Sequence, residues 1–423
     1  MSANSGDTTD QQLGLCDECG QGYIYQPVPR GAKAQCTRCG AVLYRNRNLS
    51  FDKSLAYTFA ALILFVVANT FPFLGFGLPG NIRHTTLITG SILLYEYGEI
   101  LLSFIVIFTT IIAPALQILT LLYLLIPINL GRKPREIPAV LKTIVVTGQW
   151  GMMDVFMLGI MVSTVKLADL GTIVLGPALI AFIVLIFMLA GAQSAFDTER
   201  VWSMVRSPKL RAAVSGSRDL IECHTCHLTV PLVPTIRENM QCPRCESHLH
   251  KRKPDSIQRT WALVIAAFAC YLPANFLPIM ETSSLGTTQT DTILSGIIYL
   301  INHGSWHLAL IVFVASVLVP LLKIAILIFL LVSVQMRSRW RPRERAKMYR
   351  LAELVGKWSM VDIYVVTIMV ALVQMGNLAS IAAGAGAIFF CAVVILTMFA
   401  AMAFDPNLIW DNLDRKNNGV TAE

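Results

Sequence analysis

Ala68-Asn69-Thr70-Phe71-Pro72 returns 206 residues later as Ala274-Asn275-Phe276-Leu277-Pro278. Gly90, Gly98 and Pro114 recur at the same offset as Gly296, Gly304 and Pro320. Further on the offset becomes 208. Trp150 and Asp154 answer to Trp358 and Asp362, Ala195-Phe196-Asp197 to Ala403-Phe404-Asp405, and Trp202 to Trp410. Agreement in separate blocks across two halves is an internal duplication, and that decides the architecture before any single element is placed.

Each copy is built from long apolar runs. The chain has 423 residues, 55% hydrophobic and only 14% charged, with mean hydropathy +0.61. A soluble domain carries about 25% charged residues, and a charge in hydrocarbon is costly. About 20 apolar residues cross a bilayer. Spans are therefore expected near 55–78, 101–127, 145–166 and 172–193, and again near 260–280, 306–334, 356–375 and 382–403. Gly148, Gln149 and Asp154 interrupt the third of these. Four spans per copy give both copies one orientation. The fold class expected is an all-α polytopic membrane protein, with about eight transmembrane helices in two tandem four-helix repeats.

Lys and Arg set the orientation. Arg337, Arg339, Arg341, Arg343, Arg345, Lys347, Arg350 and Lys357 crowd one loop, and Arg132, Lys133, Arg135 and Lys142 its counterpart. The segment 79–100 holds Arg83 alone, and 281–305 holds neither Lys nor Arg. The positive-inside rule then puts both termini and both basic loops in the cytoplasm of a bacterial inner membrane. The net charge of +8 belongs to these faces, so nucleic acid is not an expected partner. Residues 1–12 are polar, without the apolar core of a secretory signal, so no cleaved leader is expected.

Before each membrane repeat stands a pair of CxxC knuckles. The first is Cys16, Cys19, Cys36 and Cys39; the second is Cys223, Cys226, Cys242 and Cys245. The gaps of sixteen and fifteen residues are those of a four-cysteine zinc ribbon. Four thiolates complete a tetrahedral ion, so two structural Zn2+ are expected, supplying the folding energy of units too small for a core. Cys270 and Cys391 lie in apolar runs and read as packing residues; His224 and His227 read as surface residues. The domains are then 1–50 (first ribbon), 51–205 (first repeat), 206–255 (second ribbon), 256–410 (second repeat) and 411–423 (polar tail).

Ionisable residues inside the spans are the candidates for function. Lys323 lies within Leu318-Val319-Pro320-Leu321-Leu322-Lys323-Ile324-Ala325-Ile326. Helical spacing puts Asp362 on one face with Trp358 and Ser359, and Thr397 lies in the last span. Lys323 and Asp362 differ in depth by roughly 7–8 Å, which a Lys side chain can largely bridge. In the first repeat the counterparts are Gln117, Gly151, Asp154 and Leu189. Only the acid persists, so the second half is expected to be the working one. The first has its own pair, Lys166 and Asp169, read as an interfacial ion pair. Pro72, Pro278, Pro114 and Pro320 are expected to kink or end helices, and Asn275 to cap or bond between helices.

Together the two CxxC…CxxC ribbons, LPANFLPI at 272–279, DTILSG at 291–296, KWSMVD at 357–362 and AFDPNLIW at 403–410 resemble the paraquat-inducible protein A family, to which lipophilic envelope-spanning tunnel protein A also belongs. The resemblance runs from about 14 to 410, closer to the paraquat-inducible branch. It implies an inner-membrane component of a Gram-negative envelope system, moving membrane lipids to or from a periplasmic MCE-domain tunnel protein anchored in the same membrane. It also implies a polar intramembrane cluster, matched here by Lys323, Ser359, Asp362 and Thr397, with Asp169 matching an acidic position at the outer end of the first half. No Walker A sequence is present, and a Lys–Asp pair would suit proton coupling. No enzyme is expected, since no nucleophile–His–acid set or open metal site is evident. The competing reading is a zinc- or redox-responsive membrane sensor, against which stands the number of spans, far more than an anchor needs.

Overall fold

The computed structural model describes residues 13–26, 28–29, 31–45, 51–78, 81–168, 172–205, 220–231, 241–284, 287–302, 304, 306–356, 358–373, 379–411 and 413. Among them, eight helical segments are long and apolar enough to cross a bilayer: Phe51–Thr70, Ile100–Asn129, Ile137–Val165, Pro177–Ala195, Ser256–Phe276, Ala309–Gln335, Pro342–Leu372 and Ala385–Ala403. The two-repeat, eight-helix architecture expected from the duplication is present.

In chain order the helices are α1 (Phe51–Thr70), α2 (Thr89–Glu96), α3 (Ile100–Ile107), α4 (Ala113–Asn129), α5 (Ile137–Trp150), α6 (Met153–Ala168), α7 (Pro177–Ala195) and α8 (Thr198–Met204). The second copy supplies α9 (Ser256–Phe276), α10 (Ile293–Asn302), α11 (Trp306–Phe313), α12 (Val319–Gln335), α13 (Pro342–Gly356), α14 (Val361–Leu372) and α15 (Ala385–Ala403). In each half the first and last spans pack together, α1 on α7 and α9 on α15.

The span boundaries need three corrections. The first span ends at Thr70, not near 78, because Leu74–Leu78 is a β-strand. The fourth begins at Pro177, because Thr172–Leu175 is also a strand. Third, the third span of each half is two helices. An all-α description is therefore incomplete. At the end of each half away from the ribbons lies a three-stranded antiparallel sheet. One orders Asn81–Thr85, Leu74–Leu78 and Thr172–Leu175; the other orders Thr287–Asp291, Met280–Ser284 and Ala379–Ala383. Leu74 pairs with Thr85 and Leu175, as Met280 pairs with Asp291 and Ala383. Pairing the loops between spans meets the backbone hydrogen-bond demand of segments that are apolar but not helical. Gly176 and Gly384 follow the last strand of each sheet. A Cβ there would lie 2.1 Å from the Pro72 carbonyl oxygen in one case and 2.4 Å from that of Pro278 in the other.

Two irregularities repeat with the sequence. A π-helical turn, Phe108–Ile112, joins α3 to α4, and Val314–Leu318 joins α11 to α12. Each precedes a proline, Pro114 or Pro320, that has no N–H and crowds the carbonyl four residues back; π-turns of this kind are frequent at functional sites. The third spans break at Gly151 between α5 and α6, and at the 3₁₀ turn Trp358–Met360 between α13 and α14. With 12 residues, α14 is about 18 Å long, well short of the roughly 30 Å hydrocarbon layer. The break therefore falls within the segment Pro342–Leu372 that is long and apolar enough to cross a bilayer.

The halves meet where α6 packs on α14. Phe156 and Tyr364, equivalent positions 208 apart, meet edge to face at 5.3 Å. Tyr364 donates its hydroxyl hydrogen to Thr109 Oγ1 at 2.8 Å. A Cβ on Gly159 would lie 2.8 Å from Tyr364 Cβ, so the close approach of the two helices requires glycine there.

The ribbons dock crosswise. The first ribbon sits beneath the second membrane half: Arg343 donates to the Arg38 and Thr37 carbonyls at 2.6 Å each, Arg350 to the Cys39 carbonyl at 2.7 Å, and Asn407 to the Asp17 carbonyl at 2.8 Å. The second ribbon packs beneath the first half, its four cysteines in one cluster with Leu121, Ile137, Leu141 and Trp202. The crossing is symmetric in detail: Arg38 lies 4.9 Å over the Trp410 ring, and Arg244 lies 5.7 Å over Trp202.

Candidate functional site

The two metal centres are built by knuckles. Each is a tight turn closed by a backbone bond, as from Gly40 N to Cys36 O at 2.8 Å and from His227 N to Cys223 O at 2.8 Å. The residue after each second cysteine is left-handed. Glycine takes that place in the first ribbon (Gly20, φ 67°), but His227 (φ 54°) does so in the second. The knuckles bring Cys16 to 3.6 Å from Cys39 and Cys19 to 3.5 Å from Cys36; in the second ribbon Cys223–Cys245 and Cys226–Cys242 are 3.5 Å apart. A disulfide needs about 2.05 Å. The edge of a tetrahedron of thiolates at 2.3 Å from one ion is about 3.8 Å. All eight cysteines are buried, and the donor sets fit two four-coordinate metal ions.

His224 and His227 lie at the surface, as expected, but His227 also joins the ribbons. Its Nδ1 is 3.0 Å from Glu222 Oε1 and 3.5 Å from Asp17, while Leu15 N donates to Glu222 Oε2 at 2.9 Å. The Glu222 side chain beside it pushes the imidazole up, to about 9.

Inside the membrane the broken seventh span meets α12. Lys323 is 1% exposed. Its ammonium donates to Thr397 Oγ1 at 3.0 Å, and that hydroxyl donates to the Val394 carbonyl at 3.0 Å. Nζ also lies 3.3 Å from where a Cβ on Gly356 would be, at the C-terminus of α13. The unsatisfied carbonyls of a helix end attract a cation. Asp362 occupies the first turn of α14, where an anion is favoured. The break thus offers one helix end to each charge. Among the described contacts, the hydrogen bond of Lys323 goes to Thr397 rather than Asp362.

Trp358, Ser359 and Asp362 do not share a helix face as the spacing suggests. Positions 358–360 form a 3₁₀ turn, so Trp358 is 56% exposed while Ser359 is 2% exposed. Among the described residues, Ser359 Oγ is buried without a hydrogen-bond partner, and so is Ser316 Oγ in the second π-turn. Sequence reasoning missed Ser316; the signal available was a hydroxyl four residues before Pro320 in an otherwise apolar run. Asn275 bonds within its own helix, to Tyr271 O at 2.8 Å, rather than between helices. Asp169 and the side chain of Lys166 lie outside the described residues.

The first half repeats the geometry without the charge. Gln117 is buried in the place of Lys323, its Oε1 3.4 Å from where a Cβ on Gly151 would sit. Asp154 is exposed, and Leu189 stands where Thr397 does.

The model of a family described as "Paraquat-inducible protein A" matches residues 51–206 and 257–414. "Intermembrane transport protein PqiA" of Escherichia coli (strain K12) is 34% identical over 410 residues, covering 94% of this chain and 95% of that protein. "Lipophilic envelope-spanning tunnel protein A" of the same organism is 31% identical, over 94% and 90%. A "Probable intermembrane transport protein" of Haemophilus influenzae is 28% identical, over 95% of each. No solved structure matches. With a duplicated unit, a four-cysteine ribbon for each copy and both copies matched by one family model, this chain belongs to the paraquat-inducible protein A family.

Proposed function

We propose that the protein is the inner-membrane subunit of an envelope lipid-transport system. It passes lipid to or from a periplasmic MCE-domain tunnel protein, drawing on proton movement at the Lys323–Asp362 site, with a structural zinc ion in each ribbon. The observation that carries this reading is the buried ammonium of Lys323 at a break in a membrane span. A charge held there costs free energy and marks a pathway or relay. The reading is supported by relatives named for intermembrane transport and for a lipophilic envelope-spanning tunnel, names that speak of transport. The four residues Lys323, Ser359, Asp362 and Thr397 are proposed as the coupling site, with Asp169 as an outer station of the path.

Affinity purification of the tagged protein from its native envelope is expected to bring down an MCE-domain protein and phospholipid. Recovery of neither contradicts the proposal. The orientation has its own test. Alkaline phosphatase fused at 340 or 420 should be inactive, and fused within 285–300 active; activity at 340 would reverse the proposed topology.

A further inference from the structure

The crossed docking links a metal centre in one half to the intramembrane site of the other. Arg343 uses Nε and one terminal nitrogen on two successive carbonyls, Arg38 and Thr37. About two turns further along α13, Arg350 reaches the Cys39 carbonyl and pairs with Glu18 at 3.1 Å. All these acceptors belong to, or lie between, the cysteines of the first ribbon. The carbonyls converge only while the knuckle is folded around four gathered thiolates. From Arg343, α13 runs as one rod of about 20 Å to Gly356, against which the Lys323 ammonium rests. Ala346, Tyr349 and Ala352 bury its inner face, and Tyr349 donates its hydroxyl hydrogen to the Ala401 carbonyl at 3.2 Å, one turn beyond Thr397 on α15. A shift of α13 along its axis therefore moves the helix end that faces Lys323.

We propose that the first ribbon, when metal-loaded, positions the Lys323 site of the second half through Arg343 and Arg350. Each ribbon thereby serves the membrane half that does not follow it in the chain. Arg343 and Arg350 are positioning residues: they touch neither Lys323 nor Thr397, and act by fixing where α13 ends. The second ribbon meets the first half through Arg244 at Trp202 and by apolar packing on Ile137 and Leu141 of α5. The inference rests on reading the Lys323 cluster as the working site, but its test does not depend on transport.

The test is hydrogen-exchange mass spectrometry of the full-length protein in detergent, with zinc measured on the same samples. In Cys36→Ser with Cys39→Ser, amides of 342–356 should exchange about tenfold faster or more, the change expected for losing one charge-assisted hydrogen bond. Those of 137–150 should be unchanged. In Cys242→Ser with Cys245→Ser the pattern should reverse. Arg343→Ala with Arg350→Ala should retain two zinc ions and still loosen 342–356, which separates positioning from ribbon collapse. Unchanged protection of 342–356 in the arginine variant overturns the proposal. So does loosening of 342–356 on loss of the second ribbon's metal with none on loss of the first's. If α13 loosens as expected and lipid transport persists, the coupling stands and the functional reading of Lys323 fails.

Discussion

Lys323→Met and Asp362→Asn are each expected to insert, fold and retain metal, and each to fail to complement an envelope-lipid defect above the level of an empty vector. The expectation follows from the energetics of the site. Lys323 is buried with a hydroxyl for its hydrogen-bond partner, and that hydroxyl also bonds the Val394 carbonyl. Removing the ammonium strands no buried group on Thr397 and ends the desolvation of a charge. The described hydrogen bond of Lys323 goes to Thr397 and not to a carboxylate, so Lys323→Met strands no ion-pair partner there and should melt close to the parent. A residue that costs stability where it stands and whose loss costs activity is the signature of a functional rather than a structural charge. If the pair only fastened helices together, the same substitutions would reduce folded protein and leave the remainder active. The matched control is Asp154→Asn. Asp154 is exposed, in the half where neutral Gln117 replaces the lysine, and its variant should complement nearly as well as the parent. Equal damage from Asp154→Asn removes the argument that the second half is the working one.

The purified protein is expected to carry two zinc ions per chain, and Cys16→Ser with Cys19→Ser to carry one. The sulfur positions are those of closed four-ligand sites, and the ribbons have little else to hold them: the first consists of strands of three or four residues. Structural zinc contributes about 10–16 kcal/mol in peptides of this size, comparable to the stability of a typical whole domain. Loss of one ion should therefore unfold its own ribbon completely, while the other cysteine set keeps its ion. Elemental analysis that finds one ion or fewer in the parent, or mainly iron, contradicts the assignment.

What was legible in the sequence was whatever depends on local chemistry. The duplication, the four-cysteine spacing and the apolar lengths act over a few residues and survive translation into structure. The errors arose where apolarity was read as helix. The stretch 71–78 is as apolar as the span before it, but its glycines and the pairing available from Asn81–Thr85 make Leu74–Leu78 a strand. The regular helical face assumed for Trp358, Ser359 and Asp362 failed because a 3₁₀ turn advances each residue by a different angle. Crossed docking could not be read at all. It rests on bonds such as Arg343 to Arg38, 305 residues apart, and on arginines that look like any others in a basic loop. The candidate site was half legible: Lys323 stands out in an apolar run, whereas Ser316 draws notice only through the π-turn that precedes Pro320.

The most direct measurement is the transfer of a fluorescent phospholipid between proteoliposomes holding this protein and the periplasmic MCE-domain protein proposed as its partner, with and without an imposed proton gradient. The parent and Asp154→Asn should transfer lipid at comparable rates that rise with the gradient. Lys323→Met, folded and zinc-loaded, should show neither the transfer nor the response. Transfer by Lys323→Met at the parent's rate, rising equally with the gradient, would contradict the account.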